Sequence, residues 1–158
     1  MSSFAKPARL FVTAVNSGLV KAHLLRTLAL CFALMTGLAQ GQEVIVNPDV
    51  SLASIDRNVA RLLITMRMPQ WPDKRPVTVF VLPDSNPLHQ SFAKRVLDVY
   101  PYQLRRTWDR QVFTGTGQAP RQVANEQEMI KRVSQTAGAL GYVSKTPDSA
   151  QVKVIEIK

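Results

Sequence analysis

Downstream of Gln42 the apolar positions fall into two spacings, and each marks an element. Glu43–Asn47 (EVIVN) alternates briefly and stops at Pro48, which predicts a first strand closed by a turn. Ser54 is placed to cap a helix whose apolar positions, Ile55, Val59, Leu62, Leu63 and Met66, recur on one helical face. The segment Met68-Pro69-Gln70-Trp71-Pro72-Asp73 ends that helix, since two prolines forbid continued helical hydrogen bonding. Val77–Leu82 (VTVFVL) is apolar or β-branched throughout except for Thr78, the pattern of a strand covered on both faces. A turn over Pro83–Pro87 follows, with Pro87 suited to a first helical position, and the next helix carries Leu88, Phe92, Val96 and Leu97 inward. After Tyr100-Pro101 a further helix places Leu104, Trp108 and Val112 inside and Arg105, Arg106, Asp109 and Arg110 outside. Phe113–Pro120 (FTGTGQAP) is a glycine-rich loop. Asn125 then caps a short helix through Met129, Ile130 and Val133, with Glu128 as a capping-box partner. Gly138–Val143 and Gln151–Ile157 read as closing strands. The predicted order is β-α-β-α-α-α-β-β, a mixed α/β domain with no internal repeat.

The leading residues obey a different pattern. Thr27–Ala39 is an apolar run preceded by Lys21 and Arg26 and ended by small residues, the layout of a secretory signal cleaved near Ala39 or Gly41. Residues 1–41 are therefore expected to be removed, with residues 42–158 forming the exported domain. The run is shorter than the roughly 20 residues of a spanning helix, so no stable membrane anchor is expected after cleavage. The single cysteine, Cys31, lies mid-run behind Leu30, which is not the position of a lipidated cysteine, and the exported part has no thiol or disulfide chemistry. Charge changes the picture once the leader is set aside. Residues 1–41 hold four of the 20 Lys and Arg and none of the 11 acids, so the remainder carries 16 bases against 11 acids. Much of the basicity thus belongs to the leader, which removes most of the case for nucleic-acid binding. On their helix the arginines near Trp108 read as a solvated face.

Chemistry-bearing residues are few. Ser85 and Asn86 precede a helix, where free N–H groups and the positive dipole end favour an anion; the same residue types also serve as plain N-caps. Asp84 beside them repels an anion unless a protonated phosphate oxygen donates to it. Thr114 and Gly115 begin a loop that could curl its N–H groups around an oxyanion, or equally cap a helix C-terminus, and Arg121 is the nearest cation to complete such a site. No Gly-Lys-Ser/Thr follows, so the loop is not a P-loop. His89 is the only histidine outside the leader and reads as a surface residue. Ser85, His89 and Ser91 lack an orienting acid beyond Asp84, no ligands cluster for a metal, and no paired carboxylates suit acid–base catalysis. Neither an enzyme nor a cofactor is indicated.

Several strings occur together in an order that resembles the periplasmic phosphate-binding proteins of ABC importers. They are Val46-Asn47-Pro48, Leu52 and Ile55, Trp71-Pro72-Asp73, Asp84-Ser85-Asn86, Phe92, Trp108, Phe113-Thr114-Gly115 and Gly138-Ala139-Leu140-Gly141-Tyr142-Val143. The resemblance spans residues 43–144 and is to short, one-lobe relatives. It implies an α/β fold equivalent to a single lobe of a type II solute-binding protein. It also implies a periplasmic, non-enzymatic binder of phosphate or a related oxyanion linked to ABC transport. Full-length members hold phosphate with an Arg and a Ser-Gly-Thr turn. Here the corresponding stretch is Leu82-Pro83-Asp84-Ser85-Asn86-Pro87, in which only Ser85 keeps its type and Pro87 lacks an N–H. The expected ligand residues are Ser85, Asn86, Thr114, Gly115 and Arg121. With one lobe, binding is expected to be weak unless a homodimer or another protein supplies the missing wall. The alternative expectation is a periplasmic adaptor or regulatory protein that kept the lobe and lost the ligand.

Overall fold

A computed structural model describes residues 41–158 apart from 146, 148 and 149; the expected leader, residues 1–41, therefore lies outside the described residues except for Gly41. The elements are β1 (Glu43–Val46), β2 (Ser54–Ile55), α1 (Arg57–Ile64), β3 (Thr78–Val81), α2 (Pro87–Arg95), α3 (Pro101–Phe113), β4 (Arg121–Gln122), α4 (Glu126–Gln135), β5 (Ala139–Val143) and β6 (Lys153–Ile157). The strands form one sheet in the order β2-β6-β1-β5-β3-β4. Among the described residues β1 alone runs against its neighbours: it is antiparallel to β5 and β6, while the pairs β2–β6, β3–β5 and β3–β4 are parallel.

Every residue of β5 is buried, so both faces of the sheet centre are covered. Successive side chains of a strand point to opposite faces. Tyr142 stacks on Phe92 of α2, with ring centroids 4.0 Å apart and planes 7° from parallel. The next residue back, Gly141, faces α4: a Cβ built there would lie 2.6 Å from Met129 Sδ and 3.0 Å from Val133 Cγ2. Thus α4 packs on one face and α2 on the other. With α2 lie α3 and α1, joined where the Trp108 indole donates to Ile64 O (3.0 Å) and Arg61 Nε to Leu97 O (2.8 Å). Trp71, fully buried, donates its indole N–H to Gly138 O (2.9 Å), tying the loop before β3 to the start of β5.

The mixed α/β single-lobe architecture is as expected, and several details are corrected. Ser54 does not cap a helix: Ser54 and Ile55 form β2 beside β6, and Asp56 caps α1 through the Asn58 N–H. The buried face of α1 is therefore Ala60, Leu63 and Ile64, with Leu62 exposed and Val59 half-buried. That helix ends before the prolines, because Met66 turns left-handed (φ 58°) and the Arg67 and Met68 N–H groups fold back onto Leu62 O. On α2 the inner stripe is His89, Phe92 and Ala93, continued by Leu97, rather than Leu88 and Val96. Val112 of α3 points outward. The two-residue strands β2 and β4 are too short for periodicity to reveal.

Candidate functional site

Ligands of open α/β sheets bind beyond the carboxyl ends of the strands, where helix N-termini converge. Here that edge carries the turn Pro83–Asn86 between β3 and α2. Leu82 is the last buried residue of the strand run, and the Asn86 N–H returns to Pro83 O (2.8 Å) to close the turn. Asn86 Oδ1 accepts the Leu88 N–H (2.8 Å), so its side chain is spent on capping. Pro87 occupies the first helical position, as its fixed φ predicts. Ser85 stands exposed at the crown.

Asp84 is paired. Both of its carboxylate oxygens accept from Arg105 of α3, Nε to Oδ2 and Nη2 to Oδ1, each at 2.9 Å. The guanidinium rests over the Trp108 ring, 5.3 Å from its centroid. These hydrogen bonds hold the Asp84 carboxyl below its ordinary range and raise Arg105. An incoming anion therefore meets a neutralised pair whose arginine still has unused N–H donors, not a bare carboxylate. Arg105 belongs to the site and not to a purely solvated helix face.

Beneath this pair lies His89, wholly buried where a surface histidine was expected. Tyr142 Oη accepts the Leu82 N–H (2.9 Å) and shares a hydrogen bond with His89 Nδ1, 2.5 Å away. His89 Nε2, buried, has no hydrogen-bond partner, and Asp84 Oδ1 is 3.8 Å from it. Burial lowers the histidine pKa, with Asp84 opposing and Arg105 assisting, and burial raises that of Tyr142. Ser91 Oγ accepts from Gln42 Nε2 (2.8 Å) and Ser85 is exposed, so the cluster contains no nucleophile aligned on a base. Among the described residues no group of three or more His, Cys, Asp or Glu could hold a metal ion.

Of the five expected ligand residues, Ser85 and Asn86 share the turn after β3, while Thr114 and Gly115 lie at the other end of that strand. Thr114 and Gly115 follow α3: Thr114 Oγ1 donates to Arg110 O (2.8 Å) and Gly115 takes the left-handed conformation (φ 67°) of a helix terminus. Thr114 lines a groove with Met66, Pro69 and Val77, at the amino end of β3, whereas Ser85 and Asn86 follow its carboxyl end. Arg121 lies exposed on the edge strand β4, opposite Phe80. The sequence did carry a signal for His89, which precedes Phe92, Ala93 and Leu97 by three, four and eight positions on the inner stripe of α2. It carried none for the reach of Arg105 to Asp84.

No family model and no curated protein matches the sequence. Solved structures do match. An ABC-type phosphate transport receptor from Vibrio cholerae superposes with a TM-score of 0.56 at 15% identity, over 74% of this chain and 46% of that one. PstS from Borrelia burgdorferi gives 0.57 at 13% identity, over 74% and 47%. A Clostridium perfringens protein solved with bound phosphate gives 0.58 at 14% identity, over 74% and 44%. This chain has the fold of the phosphate-binding proteins. It spans less than half the length of these three neighbours, which is the extent of one lobe. Among the described residues no helix is long and apolar enough to cross a membrane.

Proposed function

We propose that the protein is a non-enzymatic, exported binder of phosphate or a closely related oxyanion, residues 1–41 serving as its export signal to the periplasm. The observation that carries this reading is the Asp84–Arg105 pair at the carboxyl edge of β3, on a fold shared with phosphate-binding proteins. The spare N–H donors of Arg105 supply the positive charge, the exposed Ser85 hydroxyl a further donor, and Asp84 an acceptor for a protonated oxygen of the ligand. Such an arrangement favours a hydrogen phosphate over a fully ionised sulfate, which has no proton to give. Thr114 and Gly115, beyond the amino end of β3, do not join it.

A single lobe leaves the anion half in water. Four hydrogen bonds at about 1 kcal/mol net each amount to about 4 kcal/mol, a dissociation constant near 1 mM. A second copy or another protein closing over the turn would tighten it. Calorimetric titration of the purified protein with phosphate is expected to show binding near that strength, lost in Arg105→Ala. Sub-micromolar affinity for the monomer would overturn the half-open site, and heat indistinguishable from dilution would overturn the ligand.

A further inference from the structure

At the opposite end of β3 the surface opens into a groove of about 960 Å3 between α3 and the segment that follows α1. Arg106 and Arg110 enter it from α3, and Arg67 faces them from the other wall. Arg106 and Arg110 stand four residues apart on one helix face, where like charges repel. Among the described residues none of the three guanidinium groups is paired with a carboxylate. Three uncompensated cations on one concavity call for an anion from outside.

We infer that this groove docks an acidic peptide segment of a partner protein. Its lining sets apolar Met66, Pro69 and Val77 among the amides and hydroxyls of Gln103, Thr107 and Gln111, and Phe113, outside the lining at the end of α3, is 92% exposed. A small inorganic polyanion meets only the guanidinium groups, whereas a peptide alternating carboxylates with apolar side chains also covers Met66, Pro69 and Val77 and offers its backbone to the lining amides and hydroxyls. Arginine forks pair with carboxylates bidentately, and exposed arginine beside aromatic surface is the usual composition of protein contacts. The groove shares no residue with the Asp84 turn, so the inference stands apart from phosphate binding.

The test is fluorescence anisotropy of the purified protein with a labelled twelve-residue peptide alternating Glu and Leu. Its Gln-for-Glu counterpart and tripolyphosphate serve as competitors. Saturable binding to the acidic peptide is expected, weakening with salt and falling about tenfold in Arg106→Gln/Arg110→Gln. Arg105→Ala should leave it unchanged. Arg106→Lys/Arg110→Lys keeps the charge and is expected to recover part of the affinity, which separates loss of contact from loss of fold. Equal binding of the Gln peptide, no effect of the double variant, or displacement by tripolyphosphate at equal strength would each overturn the proposal.

Discussion

His89 shows how far one residue can depart from its ordinary setting. A histidine held neutral in the interior makes folding sensitive to acid, because the unfolded chain takes up a proton that the folded chain refuses. Its pKa is lowered by burial, so its contribution is complete above the unfolded value of about 6.5 and declines as the pH falls below that value toward the lowered folded one. The slope in that window is at most about 1.4 kcal/mol per pH unit. Asp84 acts in the same direction at lower pH, its contribution present above 3.8 and lost as the pH falls through its depressed folded value. Urea unfolding followed by tryptophan fluorescence should show wild type losing stability as the pH falls below about 6.5. His89→Gln, which can still hydrogen-bond to Tyr142 but does not titrate, should be flatter there; superimposable profiles would remove His89 from the account. Gly138 is constrained differently. It is left-handed (φ 64°), and a Cβ would stand 2.4 Å from Pro76 O, which is backbone and has little room to yield. Gly138→Ala should cost about 2–4 kcal/mol in the same assay.

Among the elements, helix starts and helix ends are handled by different means. The N-termini of α1, α2 and α4 are capped locally by Asp56, Asn86 and Asn125. The C-terminal carbonyls, which a helix cannot satisfy internally, are met from far along the chain. Trp108 and Gln111 donate to Ile64 O and Thr65 O at the end of α1, and Asn47 Nδ2 donates to Val133 O and Ser134 O at the end of α4. The caps at Asn86 and Asn125 were readable in the sequence, whereas Asp56 was passed over for Ser54 and the distant donors left no local mark. Trp108→Phe should leave Ile64 O unpaired in the interior and cost about 2 kcal/mol or more. Hydrogen exchange should quicken in the last turn of α1 before it does in α4. Equal acceleration in both helices would show that Trp108 acts as core volume alone.

Across the whole molecule, the last strand closes the first. β6 enters between β1 and β2, so the C-terminal residues complete a sheet begun at Glu43. Truncation after Val152 should therefore abolish cooperative unfolding and not merely fray an end; a retained sigmoidal melt by circular dichroism would refute this. The strings that carried the family resemblance take their places in the same closure. Asn47, Trp71, Phe92, Trp108, Gly138, Gly141 and Tyr142 are the residues that cap, stack and let elements approach. The resemblance was to a way of packing, which is why it foretold the lobe but set Thr114 and Gly115 at the opposite end of β3 from Ser85 and Asn86.

What the sequence determined by itself was therefore local: the longer strands and helices, the prolines and asparagines that open α2 and α4, and the apolar and glycine positions a two-faced sheet requires. Those depend on interactions within a few residues or on burial alone. The tertiary structure decided the rest. It set His89 beneath Asp84, brought Arg105 across from α3 twenty-one positions away, and left Arg67, Arg106 and Arg110 facing one groove. Such meetings follow from how helices pack on a sheet after closure, and no short-range pattern along the chain encodes them.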